Sequence, residues 1–131
     1  MVSRFVIHRH RTGRTHFDLR IIYNGILRSW SMLREPPQNR GEKRLAIERE
    51  SFTAVSINSR TFEEEAFGIG KVQAWDTGDV DISEISPQHL SLTFRGSRLL
   101  GDFEIRKTRW YPGNRWLFTK TGSTSISHKG Q

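Results

Sequence analysis

The sequence has no cysteine among its 131 residues, so it can form neither disulfide bonds nor thiolate metal sites. It also lacks any apolar run near the ~20 residues that a membrane-spanning helix requires. The apolar run near its start, Phe5-Val6-Ile7, is too short for the hydrophobic region of a signal peptide. We therefore expect a protein that is not secreted, does not enter a membrane, and works in the cytoplasm with the nucleoid or in the nucleus.

Acidic residues are too few to balance the basic ones. The chain has 21 Lys and Arg against 14 Asp and Glu, a formal net charge of +7. Such a balance favours polyanionic partners, namely nucleic acid or an acidic membrane surface. The length suits one domain, which we place at residues 1–121 and expect to be monomeric. Residues 122–131 have one apolar residue and no periodicity, which indicates a flexible polar tail.

Segments with helical periodicity are scarce, and short runs rich in β-branched and aromatic residues recur between Gly, Pro and Asn residues. This spacing is typical of an all-β sandwich or barrel. The clearest hairpin turns at Asn24-Gly25, because Asn-Gly supplies the positive φ angles of a type I′ turn. The predicted strands are 16–23, 26–33, 44–50, 52–57, 71–75, 89–94, 98–105 and 115–120, and further turns are predicted at Gly41, Asp76-Thr77-Gly78, Arg95-Gly96 and Pro112-Gly113. The sequence predicts a small, mainly antiparallel closed β-barrel with one or two short helical turns, one of them at 62–67.

Three polar side chains share one face of a predicted strand. Side chains alternate along a strand, so His16, Asp18 and Arg20 lie on one face, while the apolar residues between them face the core. A polar row on a solvated face would by itself be ordinary. It offers, however, an imidazole, a carboxylate and a guanidinium in a line.

A further histidine, His10, adds a third potential metal ligand to this row. The five residues between His10 and His16 include Gly13 and are enough for the chain to fold back and bring the two imidazoles together. Two imidazoles and one carboxylate, here from Asp18, are a common ligand set for Mn²⁺, Fe²⁺ or Zn²⁺. His8 would share a face with His10, so either could be the ligand. Scattered surface histidines on a basic chain remain the alternative.

The tryptophans divide into two groups. Trp30, Trp75 and Trp116 fall in strand-like runs and are expected in the core, whereas Trp110 stands beside a turn and is a candidate for stacking on a nucleic acid base. His89 has no acidic residue at an informative spacing and is expected to be structural or exposed.

Six segments occur in a fixed order, namely Phe5–His10, Thr15–Arg20, Asn24–Ser31, Lys43–Ile47, Phe67–Asp76 and Trp116–Lys120. In this order they resemble the phosphoesterase domain of bacterial DNA ligase D and its stand-alone archaeal relatives, over roughly residues 4 to 120. The resemblance implies a compact β-barrel that uses Mn²⁺ to remove a ribonucleoside and then a phosphate from 3′ ends. The hydroxyl left behind serves repair synthesis or ligation in non-homologous end joining.

The same resemblance implies a metal site. The family's ligands fall on His10, His16 and Asp18, and His8 stands where the family usually has a glutamine. The implied cofactor is Mn²⁺ or another divalent transition metal. The implied partners are nucleic acid 3′ ends, including DNA ending in a 3′ ribonucleotide or 3′ phosphate, and ligase, polymerase or end-binding repair proteins.

Basic residues complete the implied site. The catalytic, phosphate-binding positions of the family fall on Arg20 and Arg44, and Arg34 stands where a lysine that binds the phosphate is usual. Glu50 matches an acidic position of the family less closely.

The sequence departs from the family in the phosphate half of the site. Phe52 and Ser56 stand where the family has a phosphate-contacting histidine and a tyrosine. Two alternatives therefore accompany a 3′-phosphoesterase: a weakened or inactive member that binds nucleic acid ends or a repair partner, and a metal-free basic interaction domain that shares only the fold. Measured turnover would distinguish the enzyme from the binding module. Measured metal content would distinguish the metal-free domain from both.

Overall fold

The computed structural model describes residues 1–53, 71–110 and 113–122. These residues form nine strands: β1 Val2–Thr12, β2 Arg14–Tyr23, β3 Ile26–Met32, β4 Lys43–Glu48, β5 Phe52–Thr53, β6 Lys71–Ser86, β7 His89–Arg95, β8 Leu100–Lys107 and β9 Arg115–Lys120. Among them, no helix is long and apolar enough to span a membrane. The helical turn predicted at 62–67 and most of the predicted strand 52–57 lie outside the described residues, as does almost all of the predicted tail.

Eight of the strands close into a barrel. The order around the ring is β2-β1-β6-β7-β8-β9-β4-β3, and β3 pairs back with β2. Every pairing is antiparallel. The short strand β5 pairs with the start of β3. The prediction of a small closed antiparallel β-barrel is confirmed.

The β2–β3 hairpin has the turn that the sequence predicts. Asn24 and Gly25 have φ angles of 52° and 75°, the positive values of a type I′ turn. This two-residue loop pairs Tyr23 with Ile26 and so fixes which residues of β2 and β3 face each other.

Alternation along the strands places most apolar side chains inside the barrel, while Val6 and Leu27 form a small second cluster apart from this core. The fully buried interior includes Leu19, Phe94, Phe103 and Phe118, and the last three form a cluster of edge-to-face and stacked rings. The expected core tryptophans are confirmed, since Trp30, Trp75 and Trp116 are 0%, 8% and 2% exposed. Along each strand, the residues that alternate with these core residues point outward.

The turn predicted at Asp76-Thr77-Gly78 is wrong, because β6 continues through it to Ser86. The Asp76 carboxylate, which could have closed a local turn, instead accepts hydrogen bonds of 2.7 to 2.9 Å from the backbone N–H groups of residues 97–99. Gly96 lies so close that a Cβ atom there would be 2.2 Å from Asp76 Oδ2. Asp76 therefore caps the β7–β8 turn rather than a turn of its own.

Candidate metal and phosphate site

Two histidines and an aspartate meet on the outer face of β1 and β2. The β1–β2 hairpin turns at Gly13, which has a φ angle of 95°, and places His10 directly opposite His16. Their ring centroids are 4.8 Å apart, and His16 Nε2 lies 3.3 Å from Asp18 Oδ2. The ligand atoms of His10, His16 and Asp18 all lie within 4.8 Å of one another. Their chemistry and convergence fit a divalent transition metal.

His8 occupies the neighbouring position on the same face. It is paired with Asp18 across the ladder and is 2% exposed. It lies outside the group of three whose ligand atoms converge. The structure therefore favours His10 over His8 as the ligand from β1.

A serine on β3 connects the carboxylate to the rest of the site. Ser31 faces Asp18 in the β2–β3 register and donates a 2.7 Å hydrogen bond to Asp18 Oδ1. Arg49 Nε donates in turn to Ser31 Oγ at 3.0 Å. Asp18 is thus held on one oxygen by a hydroxyl while its other oxygen faces His16.

Sequence reasoning missed both Ser31 and Arg49. The signal for Ser31 was present, because the two-residue turn after Tyr23 fixes the residue opposite Asp18. No comparable signal existed for Arg49, which follows β4 and reaches β3 only through the tertiary fold.

Arg20 lies on the same outer face, two residues beyond Asp18 along β2 and further from the hairpin turn. Its side chain is 5% exposed, and Nε donates to Ser29 Oγ at 3.2 Å. Ser29 is its direct partner across the ladder. Such a buried guanidinium holds a fixed orientation, as recognition of a phosphate group requires.

We call His10, His16 and Asp18 the metal-ligand group. The other predicted basic residues line a cavity of about 310 Å³ beside this group. Arg34 and Arg44 lie in its wall, together with Ser31, whose hydroxyl contacts Asp18. Ser31 therefore connects the cavity with the three candidate ligands, whereas Arg20 is not among the residues that line the cavity. Glu50 lies exposed two residues beyond β4.

Arg44 also fixes the loop that forms one wall of the cavity. Its Nε and Nη1 atoms donate to the carbonyl oxygens of Glu35 and Lys43. In the same loop, backbone hydrogen bonds from Asn39 and Gln38 to the Glu42 carboxylate lower the pKa of Glu42 to about 2. Loop and cavity are thus held by charge-assisted hydrogen bonds.

With this geometry in place, comparison with known proteins decides the family. The profile of the DNA Ligase D 3′-phosphoesterase domain matches residues 8–107. The chain belongs to this family. The match includes every residue of the metal-ligand group and the basic cavity.

The LigD proteins that this chain matches are much longer than the chain itself. The multifunctional non-homologous end joining protein LigD of Mycobacterium bovis is 31% identical over 121 residues, which cover 86% of this chain and 15% of that protein. The LigD protein of Mycobacterium tuberculosis gives the same values. That of Pseudomonas aeruginosa is 28% identical over 114 residues, which cover 80% of this chain and 13% of that protein. The chain thus spans about a seventh of the curated relatives it matches.

Proposed function

We propose that this protein is a metal-dependent 3′-phosphoesterase that processes the 3′ ends of nucleic acid strands. The observation that carries the proposal is the continuity of the site. Three side chains that could ligate a metal have their ligand atoms within 4.8 Å of one another, and Ser31 connects them with a cavity whose wall includes Arg34 and Arg44.

His10, His16 and Asp18 would hold the metal, with Mn²⁺ as the first candidate. Bound there, the metal would polarise a phosphoryl oxygen and lower the pKa of a water molecule. The protein's own contribution is orientation, because Ser31 fixes the carboxylate of Asp18.

The arginines would bind the phosphate group. Arg20 is fixed by Ser29, whereas Arg34 and Arg44 line the cavity. Together they place positive charge where negative charge develops on the phosphoryl oxygens during hydrolysis.

The biological setting that the relatives support is repair of DNA ends by non-homologous end joining. The substrates would be strands that end in a 3′ phosphate or a 3′ ribonucleotide. The relatives named as multifunctional end-joining proteins are several times longer than this chain. Because the chain corresponds to only a small part of them, we propose that separate ligase, polymerase and end-binding proteins are its partners.

The test is incubation of the purified protein with labelled primer-templates ending in 3′ phosphate or a 3′ ribonucleotide. We expect conversion to a 3′ hydroxyl with Mn²⁺ and none with EDTA. An Asp18→Asn variant is the control for a contaminating phosphatase. Equal conversion by parent and variant would refute the proposal.

A second candidate function is a binding module for nucleic acid ends with little or no turnover. The observation that favours it is the absence of the family's phosphate-contacting histidine and tyrosine at Phe52 and Ser56. Tight metal-dependent binding of a 3′-phosphate end, without hydrolysis over hours, would support this function instead.

A further inference from the structure

A second large cavity lies on the outer face of β8 and β9. Its volume is about 740 Å³, and its walls include Lys43, Arg106, Lys107, Arg109 and Trp110. Glu104 and Arg106 point outward here because the residues that alternate with them, Phe103 and Ile105, are buried in the core. We call this cavity the β8–β9 groove.

The groove is on the side of the barrel opposite the candidate metal site. Around the ring β2-β1-β6-β7-β8-β9-β4-β3, the β8–β9 seam is the farthest from the β1–β2 seam in both directions. His10, His16 and Asp18 stand on the outer face of that distant seam. The groove therefore lies away from the three metal-ligating residues, although it shares Lys43 with the cavity lined by Arg34 and Arg44.

The groove has an excess of positive charge. Lys43, Lys107 and Arg109 are exposed, and the side chain of Arg106 is 60% exposed. The single carboxylate among the lining residues, Glu104, is 2.8 Å from His89 Nε2 and 3.1 Å from Arg106 Nη2.

The Glu104 carboxylate is largely satisfied by these two neighbours. Burial raises its pKa, but the hydrogen bonds from His89 and Arg106 outweigh that effect, so the net pKa of Glu104 is lowered. The other three cationic residues, Lys43, Lys107 and Arg109, face the open groove and complement an anionic ligand.

An aromatic ring stands at the end of this basic surface. All four tryptophans of the chain lie in the described residues, and Trp110, 53% exposed, is the one that is not buried. Its backbone is held, since its N–H donates to Thr108 Oγ1 at 3.1 Å and its carbonyl accepts from Gly113 N at 3.0 Å. An exposed indole whose own backbone is hydrogen-bonded on both sides is a stacking platform for a planar ring.

We propose that the β8–β9 groove binds an unpaired stretch of a nucleic acid strand, away from the 3′ end. Lys107, Arg109 and Lys43 would contact successive phosphates, and a base would stack on Trp110. An unpaired strand fits better than a blunt duplex, because the face of a base is available to an indole only when the base is unstacked. The groove would thus hold the strand whose end is treated elsewhere, and its binding does not depend on turnover at the metal site.

The test uses oligo(dT) with a 3′ hydroxyl, in EDTA, so that neither the metal nor a terminal phosphate contributes. We expect the exposed, Trp110-derived part of the tryptophan fluorescence to be quenched on titration. Trp110→Ala should weaken binding by about tenfold or more, while Trp110→Phe retains most of the affinity. A blunt duplex of the same length should bind more weakly and be indifferent to Trp110→Ala.

Charge variants test the phosphate contacts. Lys107→Gln and Arg109→Gln should each lower the slope of log K against log salt by roughly 0.7, the value for one phosphate contact of a single strand. Arg95→Gln, which removes an equal charge from an exposed position outside the groove, is the matched control. Melting temperatures exclude unfolding.

Absence of quenching, together with equal losses for the groove variants and Arg95→Gln, would overturn the proposal and leave only a diffuse basic surface. Loss of 3′-end hydrolysis in the preceding assay would not affect this result, so the two proposals fail independently.

Discussion

Ser31 donates a 2.7 Å hydrogen bond to Asp18 Oδ1 from the strand next to it. Outer contacts of this kind orient metal ligands, and their removal typically costs ~10–100-fold in metal affinity or activity. We expect Ser31→Ala to lower Mn²⁺ affinity by that factor, measured by calorimetry, and Ser31→Thr to restore most of it through its hydroxyl. Equal affinity of the alanine variant and the parent would show that the hydrogen bond does not position Asp18.

The three ligating residues are expected to act together. His10→Ala, His16→Ala and Asp18→Ala should each abolish measurable Mn²⁺ binding, because each removes one of three ligands. His89→Gln is the matched control, since it removes a histidine on the far side of the barrel and should bind Mn²⁺ as the parent does. Binding by all three alanine variants at parent affinity would refute the site.

The resemblance to the family implies that Phe52 stands where a phosphate-contacting histidine is usual. A positioned histidine contributes ~10²–10⁴-fold to rate as an acid or hydrogen-bond donor, and phenylalanine can serve neither purpose. We expect slow turnover in the parent and faster turnover in Phe52→His, alone or with Ser56→Tyr. Rates should be compared at temperatures well below each variant's Tm. If the parent already matches a relative that has the histidine, the account of a depleted phosphate pocket is wrong.

Asp76 is expected to be important for stability. Its carboxylate is 7% exposed and accepts three backbone N–H groups of the β7–β8 turn. Asp76→Ala should lower the free energy of unfolding by roughly 1.5–3 kcal/mol, because these donors lose a charged acceptor. Asp79→Ala is the control, since Asp79 forms only an exposed pair with Arg4 among the described contacts and should cost under ~1 kcal/mol. Equal losses in urea denaturation would contradict this reasoning.

Glu42 gives the cavity loop a defined pH dependence. Backbone hydrogen bonds from Asn39 and Gln38 lower its pKa from 4.5 to about 2 in the folded state. A depressed carboxyl pKa stabilises the fold fully above about pH 4.5, and this stabilisation is lost as the pH falls toward 2. Glu42→Gln should therefore be less stable than the parent at pH 7, and the difference should shrink between pH 4.5 and 2. Urea denaturation at pH 7, 4.5 and 3 measures it, with Glu50→Gln as the control. A difference that is constant with pH would refute the role of the charge.

Much of the fold follows from local sequence. The Asn24-Gly25 pair dictates a type I′ turn, and alternation of apolar residues divides β2 into a core face and a site face. Because both effects act between near neighbours, they also predict that His16, Asp18 and Arg20 share a face. The five residues between His10 and His16, which include Gly13, are enough for the chain to fold back, so the approach of His10 was foreseeable.

The sequence by itself determined a basic all-β domain, its clearest hairpin and the residue types of a candidate metal site. Only the tertiary structure decided that β6 runs past Asp76, that Arg49 contacts Ser31, and that the groove beside Trp110 lies opposite the metal-ligand group. The physical reason is that barrel closure joins strands far apart in the chain. Local patterns set which face a side chain takes, whereas closure sets which distant side chains it meets.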